Sequence, residues 1–484
     1  MSAKGGSAFG GKKTKIICTI GPASEDPKIL EAMAEAGMDV ARVNLSHGEY
    51  ETHAKVIKHI RKISEKLERP IGVMLDLQGP KIRVGDIAGS LSVKEGETVI
   101  LSHSKDAPDT KFKVIPIQAD LRSSLNSGDP ILIDDGKIRL NVTSVKGLQV
   151  WTRVEVGGTV TSNKGINLPS SAVKVPLISK KDEDDLIFGL LQEVDFVALS
   201  FVQSPADVLA LSKLIKKHLQ KRAEPPWIIA KIEKPNAVEN FEKILQYSDG
   251  AMVARGDLGV EIPAHEVPLV QKKIVEACLR ASKPSVVATQ MLDSMVSSPT
   301  PTRAEVSDVA AAVTDHADAI MLSAETAIGK HPVASVEVMA KVVGEVEAST
   351  YDDLSHQYLS DQTNSKAAAI ADSAHELSKN TGAKAIVGVT SSGFTARMIS
   401  HQRPQNAEII IMTNSKNVYQ KLSLLWGVRS YILPRSKSLD ELIKNAIDVA
   451  RRRKLVEKGD KIVIVTGEPL GVRENMNLVE VKTV

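Results

Sequence analysis

Lys231 and Glu233 stand two residues apart in the run Ile228-Ile229-Ala230-Lys231-Ile232-Glu233. On an extended strand that spacing puts both side chains on one side. Further along, Ala254-Arg255-Gly256-Asp257 leaves a second apolar run with a glycine at the turn. Glu233 and Asp257 are hard oxygen donors of the kind that hold Mg²⁺ or Mn²⁺, the remaining positions being left to water and substrate. An ammonium beside such a metal would neutralise charge developing on a transferring phosphoryl group or an enolate. Spacing alone fits a salt bridge closing a strand equally well. Gly256 would let the backbone approach a ligand closely, with N–H groups placed for a carboxylate, but an ordinary strand-to-helix turn reads the same way. Thr289 ends another apolar run, where a threonine either positions a proton or only packs.

These residues need elements to hold them. Short β-branched runs, each followed by a helix-like stretch, occur at 15–20, 39–45, 71–77, 195–201, 227–232, 250–254, 285–289 and 319–322. Helical patterns lie between them, among others at 27–36, 52–67, 265–281 and 303–316. Eight such units predict a closed parallel (β/α)8 TIM barrel; one false strand would make it an open doubly wound sheet. In a barrel the C-terminal strand ends carry the chemistry, and there stand Asn44, Ser46, Asp76, Lys231, Glu233, Asp257 and Thr289.

The rhythm breaks between 84 and 175, where segments at 91–101, 131–133, 137–145 and 148–156 alternate around Lys94-Glu95-Gly96, Asp135-Gly136 and Gly157-Gly158. This predicts an inserted all-β module at the active face, placed to act as a lid. After a helix at 333–347, a polar linker at 349–365 leads to a smaller α/β unit with strands at 385–389, 407–412, 429–433, 461–465 and 478–482. The expected partition is a tail at 1–14, barrel at 15–83, insertion at 84–175, barrel at 176–348 and a C-terminal α/β domain at 349–484.

Composition agrees with three domains: 484 residues, with 62 Lys and Arg against 59 Asp and Glu for a net charge of +3. Near-neutral balance gives no reason to expect nucleic acid or an anionic membrane as partner. No apolar run approaches the roughly 18 residues of a spanning helix. The Gly/Ser/Lys-rich stretch 1–13 reads as a mobile tail rather than a secretory signal. Cys18 and Cys278, far apart in apolar surroundings, point to a reducing, cytoplasmic compartment.

Together these segments resemble the pyruvate kinase family. Residues 228–233, 253–263 (VARGDLGVEIP), 288–295 (ATQMLDSM), 41–48 (ARVNLSHG) and 324–329 (AETAIG) carry the resemblance, which runs from about 15 to 465. It implies a barrel with an inserted β-domain and a C-terminal α/β domain, and transfer of the phosphoryl group of phosphoenolpyruvate to ADP in glycolysis. It implies Glu233 and Asp257 as Mg²⁺ ligands, and Lys231 as stabiliser of the phosphoryl group and enolate. Arg42 would hold the substrate phosphate. The backbone at Gly256 and Asp257, with Thr289, would hold its carboxylate, and Thr289 would lie on the proton path. Asn44, His47, Arg83 and Lys164 match nucleotide-side positions. A cytoplasmic homotetramer is the family's usual assembly.

Two departures stand out. Family members that require K⁺ bind it near the positions of Asn44, Ser46, Asp76 and the Leu77 backbone, and usually carry Glu and Thr where this chain has Lys81 and Val84. A fixed ammonium at Lys81 would supply that charge, predicting activity without added K⁺; a solvated Lys81 is the alternative. Secondly, Thr390-Ser391-Ser392-Gly393-Phe394-Thr395 resembles the family's effector loop for a sugar phosphate or nucleotide, and a plain N-cap turn reads the same. Its usual companion run is replaced by Glu474-Asn475-Met476-Asn477, which leaves the effector's identity open. A magnesium-dependent carbon–carbon lyase would share Glu233 and Asp257 without needing Arg42, Arg83, Lys164 and Lys231. A non-catalytic sensor would need none of these residues.

Overall fold

The computed structural model describes residues 11–80, 82–103, 111–134, 136–147, 149–169, 177–219, 224–352, 365–470, 472 and 474–484. Eight parallel strands close into a barrel: Lys15–Ile20, Val40–Asn44, Gly72–Leu77, Phe196–Leu199, Trp227–Ile232, Gly250–Ala254, Ser285–Ala288 and Ala319–Leu322. The first and last pair from Lys15↔Ala319 to Cys18↔Leu322, which shuts the cylinder and excludes the open sheet.

Alternation along each strand sorts its side chains. Ile16 and Cys18, Val73 and Leu75, and Ile228, Ala230 and Ile232 pack outward with the helices. Ile17, Met74, Phe196, Trp227, Ile229, Met252 and Met321 fill the interior. The period of two then puts Thr19, Arg42, Asp76, Ser200 and Lys231 inward, near the C-terminal ends of strands one to five.

Helix boundaries follow cap chemistry. Pro27–Ala36 starts on Asp26, whose carboxylate accepts the Lys28 and Ile29 N–H groups, and ends at Gly37 with φ 126°. Arg303–Thr314 starts on a capping box between Thr302 and Glu305. The tail is shorter than expected. Lys12 pairs with Asp39, and the Lys13 and Thr14 N–H groups donate to Glu347 at 2.6 Å, so 12–14 are anchored. Residues 1–10 lie outside the described region.

The insertion forms a six-stranded sheet, in order Ile166–Asn167, Pro130–Ile133, Ile138–Lys146, Gln149–Val156, Thr98–Ser102 and Lys113–Pro116, beside the pair Gly158–Val160 and Leu91–Val93. It has its own core. Lys113–Pro116, Gly158–Val160 and Ile166–Asn167 were not foreseen. Ile82 and Val84 belong to this core, and Arg83 bridges to Gly165, so the module begins two residues before 84. Asp135, Leu148 and 170–176 lie outside the described residues, as does Lys81.

The C-terminal unit is a five-stranded sheet ordered Val428–Ile432, Glu408–Thr413, Ala385–Val389, Lys461–Thr466 and Leu478–Thr483, the last antiparallel. Within the expected linker, Thr350–Asp352 forms a short 3-10 turn to which Gln405 Nε2 donates, while 353–364 lie outside the described residues. This domain abuts the N-terminal end of the barrel. Leu422, Leu424 and Trp426 share one hydrophobic cluster with the barrel interior. Buried Lys421 donates to Pro225 O at 2.9 Å, and Arg403 pairs with Asp318 at 3.1 Å.

Candidate active site

The inward residues of strands two to five meet directly. Arg42 Nε donates to Asp76 Oδ2 at 2.7 Å and its Nη1 to Thr19 Oγ1 at 2.8 Å. Lys231 Nζ lies 2.9 Å from Glu233 Oε1 and 3.4 Å from Asp76 Oδ1, and donates to Ser200 Oγ at 2.7 Å. The Ser200 hydroxyl in turn donates to Leu77 O at 2.7 Å. Lys231 is only 8 % exposed and Glu233 1 %.

Burial opposes charge at each group, and neighbours decide the outcome. Around Lys231 the carboxylates of Asp76 and Glu233 outweigh desolvation and hold the ammonium above the ordinary lysine range. For Asp76 desolvation is outweighed by Lys231 and Arg42, so it titrates below the carboxylate range. Glu233 is raised, because burial, helped by the negative Asp257, exceeds what Lys231 returns.

Glu233 Oε2 accepts the Phe201 N–H at 2.7 Å, whereas the buried Oε1 faces the Lys231 ammonium at 2.9 Å. Two neighbouring carboxylates, Glu233 and Asp257, whose mutual repulsion helps to raise Glu233, fit a divalent cation that would relieve it. Among the described residues no group of three or more His, Cys, Asp or Glu forms a full cage. Two carboxylates that leave positions for water and substrate do not require one.

Strands six and seven supply the other wall. Helix Arg255–Glu261 follows strand six without a loop, and the Gly256 N–H donates to Thr289 Oγ1 at 2.7 Å. Thr289 has φ +70° and Gln290 φ +55°, a left-handed backbone that a β-branched residue rarely adopts. Arg255 braces it. Its Nη2 donates to Thr289 O at 2.8 Å and Gln290 O at 3.1 Å, and the guanidinium pairs with Asp308 at 2.7 Å.

Of the other expected site residues, Asn44 is the register partner of Asp76 and the rest make contacts of their own. Asn44 Oδ1 accepts the Ser46 N–H at 3.1 Å, and His53 Nε2 lies 2.8 Å from His47 O. In the β module Arg83 donates to Asn163 O at 3.0 Å, and Lys164 pairs with Asp134 at 2.9 Å. Asn167 ties the module to the barrel by donating to Glu261 at 2.9 Å. The loop 390–395 lies in the C-terminal domain: Thr390 Oγ1 accepts the Gly393 N–H at 3.0 Å, Ser392 Oγ accepts that of Phe394 at 3.4 Å, and helix Phe394–His401 follows. Thr395 is buried and Ser391 exposed. At the same end of this domain's sheet, after strand Lys461–Thr466, Asn477 and Asn475 hydrogen-bond Glu468, so 474–477 folds back on its own turn.

Thr19, Ser200, the Phe201 N–H and the Arg255 brace escaped sequence reasoning. Applying the strand-end rule to strands one and four as well would have reached Thr19 and Ser200; the other two are backbone and tertiary relations without a residue signal.

Comparison with known proteins gives one family. Residues 11–336 match the model described as pyruvate kinase, barrel domain, and 368–482 the model described as pyruvate kinase, alpha/beta domain. Pyruvate kinase of Methylorubrum extorquens is 41 % identical over 472 residues, covering 97 % of each chain. That of Clostridium acetobutylicum is 39 % identical over 475 residues, covering 98 % of this chain and all of its own. A crystal structure of a pyruvate kinase from Cryptosporidium parvum superposes with TM-score 0.89 at 36 % identity, over 98 % of this chain and 96 % of that one.

Proposed function

The chain belongs to the pyruvate kinase family, and from that premise we propose how its own residues carry the reaction. Enzymes of this family are phosphotransferases that move the phosphoryl group of phosphoenolpyruvate to ADP, giving pyruvate and ATP, with a divalent metal. Glu233 and Asp257 would hold Mg²⁺ here, and the observation that carries the assignment is this pair of neighbouring carboxylates, in which the charge of Asp257 opposes that of buried Glu233. The ion would supply Lewis-acid neutralisation of phosphate and enolate oxygens.

Arg42 and Lys231 hold the substrate phosphate. Both are tethered to Asp76, so their positive ends are fixed before substrate arrives and reorganise little during transfer. The N–H groups at Gly256 and Asp257, with the Thr289 hydroxyl, take the carboxylate. As the phosphoryl group leaves, the Lys231 ammonium stands beside the enolate oxygen, and Thr289 lies on the path by which a proton reaches the enolate carbon. Asn44, His47, Arg83 and Lys164 face the nucleotide. For Lys164 this means exchanging Asp134 for a phosphate as the β module closes and excludes water.

The cation site around Asn44, Ser46, Asp76 and Leu77 O works without added K⁺. Asp76 is already compensated by two cationic side chains, which supports this reading together with the identity of residue 81. Thr390, Ser391, Ser392, Gly393 and Thr395 bind the phosphate of a sugar phosphate or nucleotide that regulates a cytoplasmic homotetramer. Among the described residues no helix is long and apolar enough to cross a membrane.

One coupled assay tests this: pyruvate must form from phosphoenolpyruvate only when ADP and Mg²⁺ are present. Pyruvate release without ADP would favour a lyase or phosphatase. A rise of orders of magnitude on adding K⁺ to a potassium-free assay would refute K⁺ independence. Unchanged saturation curves with sugar phosphates and AMP would remove the regulatory claim.

A further inference from the structure

At the base of the barrel, opposite the active site, a narrow half-open cleft with an inner cavity of about 10 Å³ separates the barrel from the C-terminal domain. Lys283 and Asp318, just before strands seven and eight, line one side; Arg397, His401 and Arg403, on and just after helix Phe394–His401, line the other. Three cationic side chains thus face one carboxylate.

That carboxylate is fully engaged. Asp318 accepts from Arg403 Nη1 at 3.1 Å and from the Ser285 N–H at 3.0 Å, and Trp426 N–H also points to it. Lys283 directs its protons to the carbonyls of Leu245, Gln246 and Ser248, capping helix Phe241–Tyr247, but among the described residues its charge has no carboxylate within ion-pair distance. Among the described residues the Arg397 side chain makes neither ion pair nor hydrogen bond, and it lies over the face of Trp227, 5.5 Å from the ring centre. Its Nε is buried with no acceptor. Arg403 is 2 % exposed, and although its Nη groups are used, its Nε also has no acceptor. Two guanidinium N–H donors lining one crevice, both buried and unmet, are an uncommon arrangement that an arriving anion would satisfy.

We propose that this cleft binds a phosphate dianion, free or carried by a small metabolite, accepting from Arg397 and Arg403 and balancing Lys283. A tetrahedral oxyanion has enough acceptor oxygens to serve two guanidinium donors of the C-terminal domain at once beside the Lys283 charge of the barrel, which a planar carboxylate meets less well. Bound there, it staples the C-terminal helix to the barrel base. The loop 390–395 supplies none of this lining, and the site stands or falls independently of the reaction assigned above.

Calorimetric titration of the full chain with inorganic phosphate, without metal or nucleotide, tests it. Arg397→Gln is expected to weaken one class of site at least tenfold, and Arg397→Lys, which keeps the charge but loses Nε, by less. Ser391→Ala/Ser392→Ala, in the separate loop, should leave that site unchanged. Thermal midpoints identify any variant that misfolds, and the lysine variant then carries the comparison. Wild-type phosphate binding in both Arg397 variants, or loss of the site only in the serine variant, overturns the proposal. Repeating the titration with a hexose monophosphate distinguishes the source: tenfold tighter, Arg397-dependent binding identifies a phosphorylated metabolite, and binding of inorganic phosphate alone identifies the free ion.

Discussion

The Gly256 N–H donates to Thr289 Oγ1 at 2.7 Å, joining the first turn after strand six to a threonine with φ +70° after strand seven. A substrate carboxylate placed here would replace one half of an existing hydrogen bond rather than enter an unformed site. Thr289→Ala removes the hydroxyl without touching the N–H. It should slow exchange of the pyruvate methyl protons with solvent about 10²- to 10⁴-fold, the range of a positioned proton relay. Wild-type exchange, followed by proton NMR, would remove Thr289 from the proton path.

Arg255 touches no reacting atom in this scheme and acts through the backbone it braces. Arg255→Lys keeps the pairing charge with Asp308 but cannot donate at once to Thr289 O and Gln290 O. The expected result is a fall in kcat of roughly tenfold with little change in the KM for ADP. Equal effects on both substrates would point to general destabilisation instead.

Lys231 sits among three anionic or polar partners. Lys231→Met should lower kcat by about 10³-fold or more, as expected when a preorganised charge is removed from a transition state. It should also destabilise the fold by ~3 kcal/mol, because Asp76 and Glu233 stay buried with one counter-charge fewer. Steady-state kinetics and urea unfolding read the two effects separately.

Glu233→Gln keeps the shape of the side chain and removes its charge. Mn²⁺ affinity, measured by the resonance signal of free ion, should fall at least tenfold, since a neutral amide oxygen is a weaker donor to a hard cation. Unchanged affinity would mean the ion is held elsewhere.

His401 gives the fold an acid-side liability. Burial, reinforced by Arg403, pushes its imidazole down to about 3 from the ordinary 6.5. As pH falls below 6.5 the unfolded chain takes up this proton first, so the stability held by the neutral ring above 6.5 is lost progressively down to about pH 3. The slope is at most about 1.4 kcal/mol per pH unit. His401→Gln should flatten the pH dependence of unfolding between those limits, as read from denaturant midpoints; an unchanged slope would assign the acid sensitivity to other groups.

Much of this architecture was legible because a barrel strand needs a recognisable run of β-branched residues ending in polar ones. Lys15–Ile20, Trp227–Ile232 and Gly250–Ala254 begin and end where the sequence places them. Lys231 and Glu233 were legible as a same-side pair because the period of a strand is fixed. Ser200 and Thr19 were not: hydroxyls end many strands, and only the closed register shows that these two face Lys231 and Arg42. The anchoring of 12–14 was hidden for a related reason. A Gly/Ser/Lys-rich stretch looks solvated until Asp39 and Glu347, remote in sequence, are brought beside it.

The shared cluster of barrel interior and C-terminal domain has a practical consequence for anyone dissecting this enzyme. The cylinder has no floor of its own: Leu422, Leu424 and Trp426 seal the end that Ile17, Met74 and Trp227 would otherwise open to water. Cutting the chain after the last barrel helix would therefore yield not a smaller catalyst free of control but an uncorked, sticky fragment.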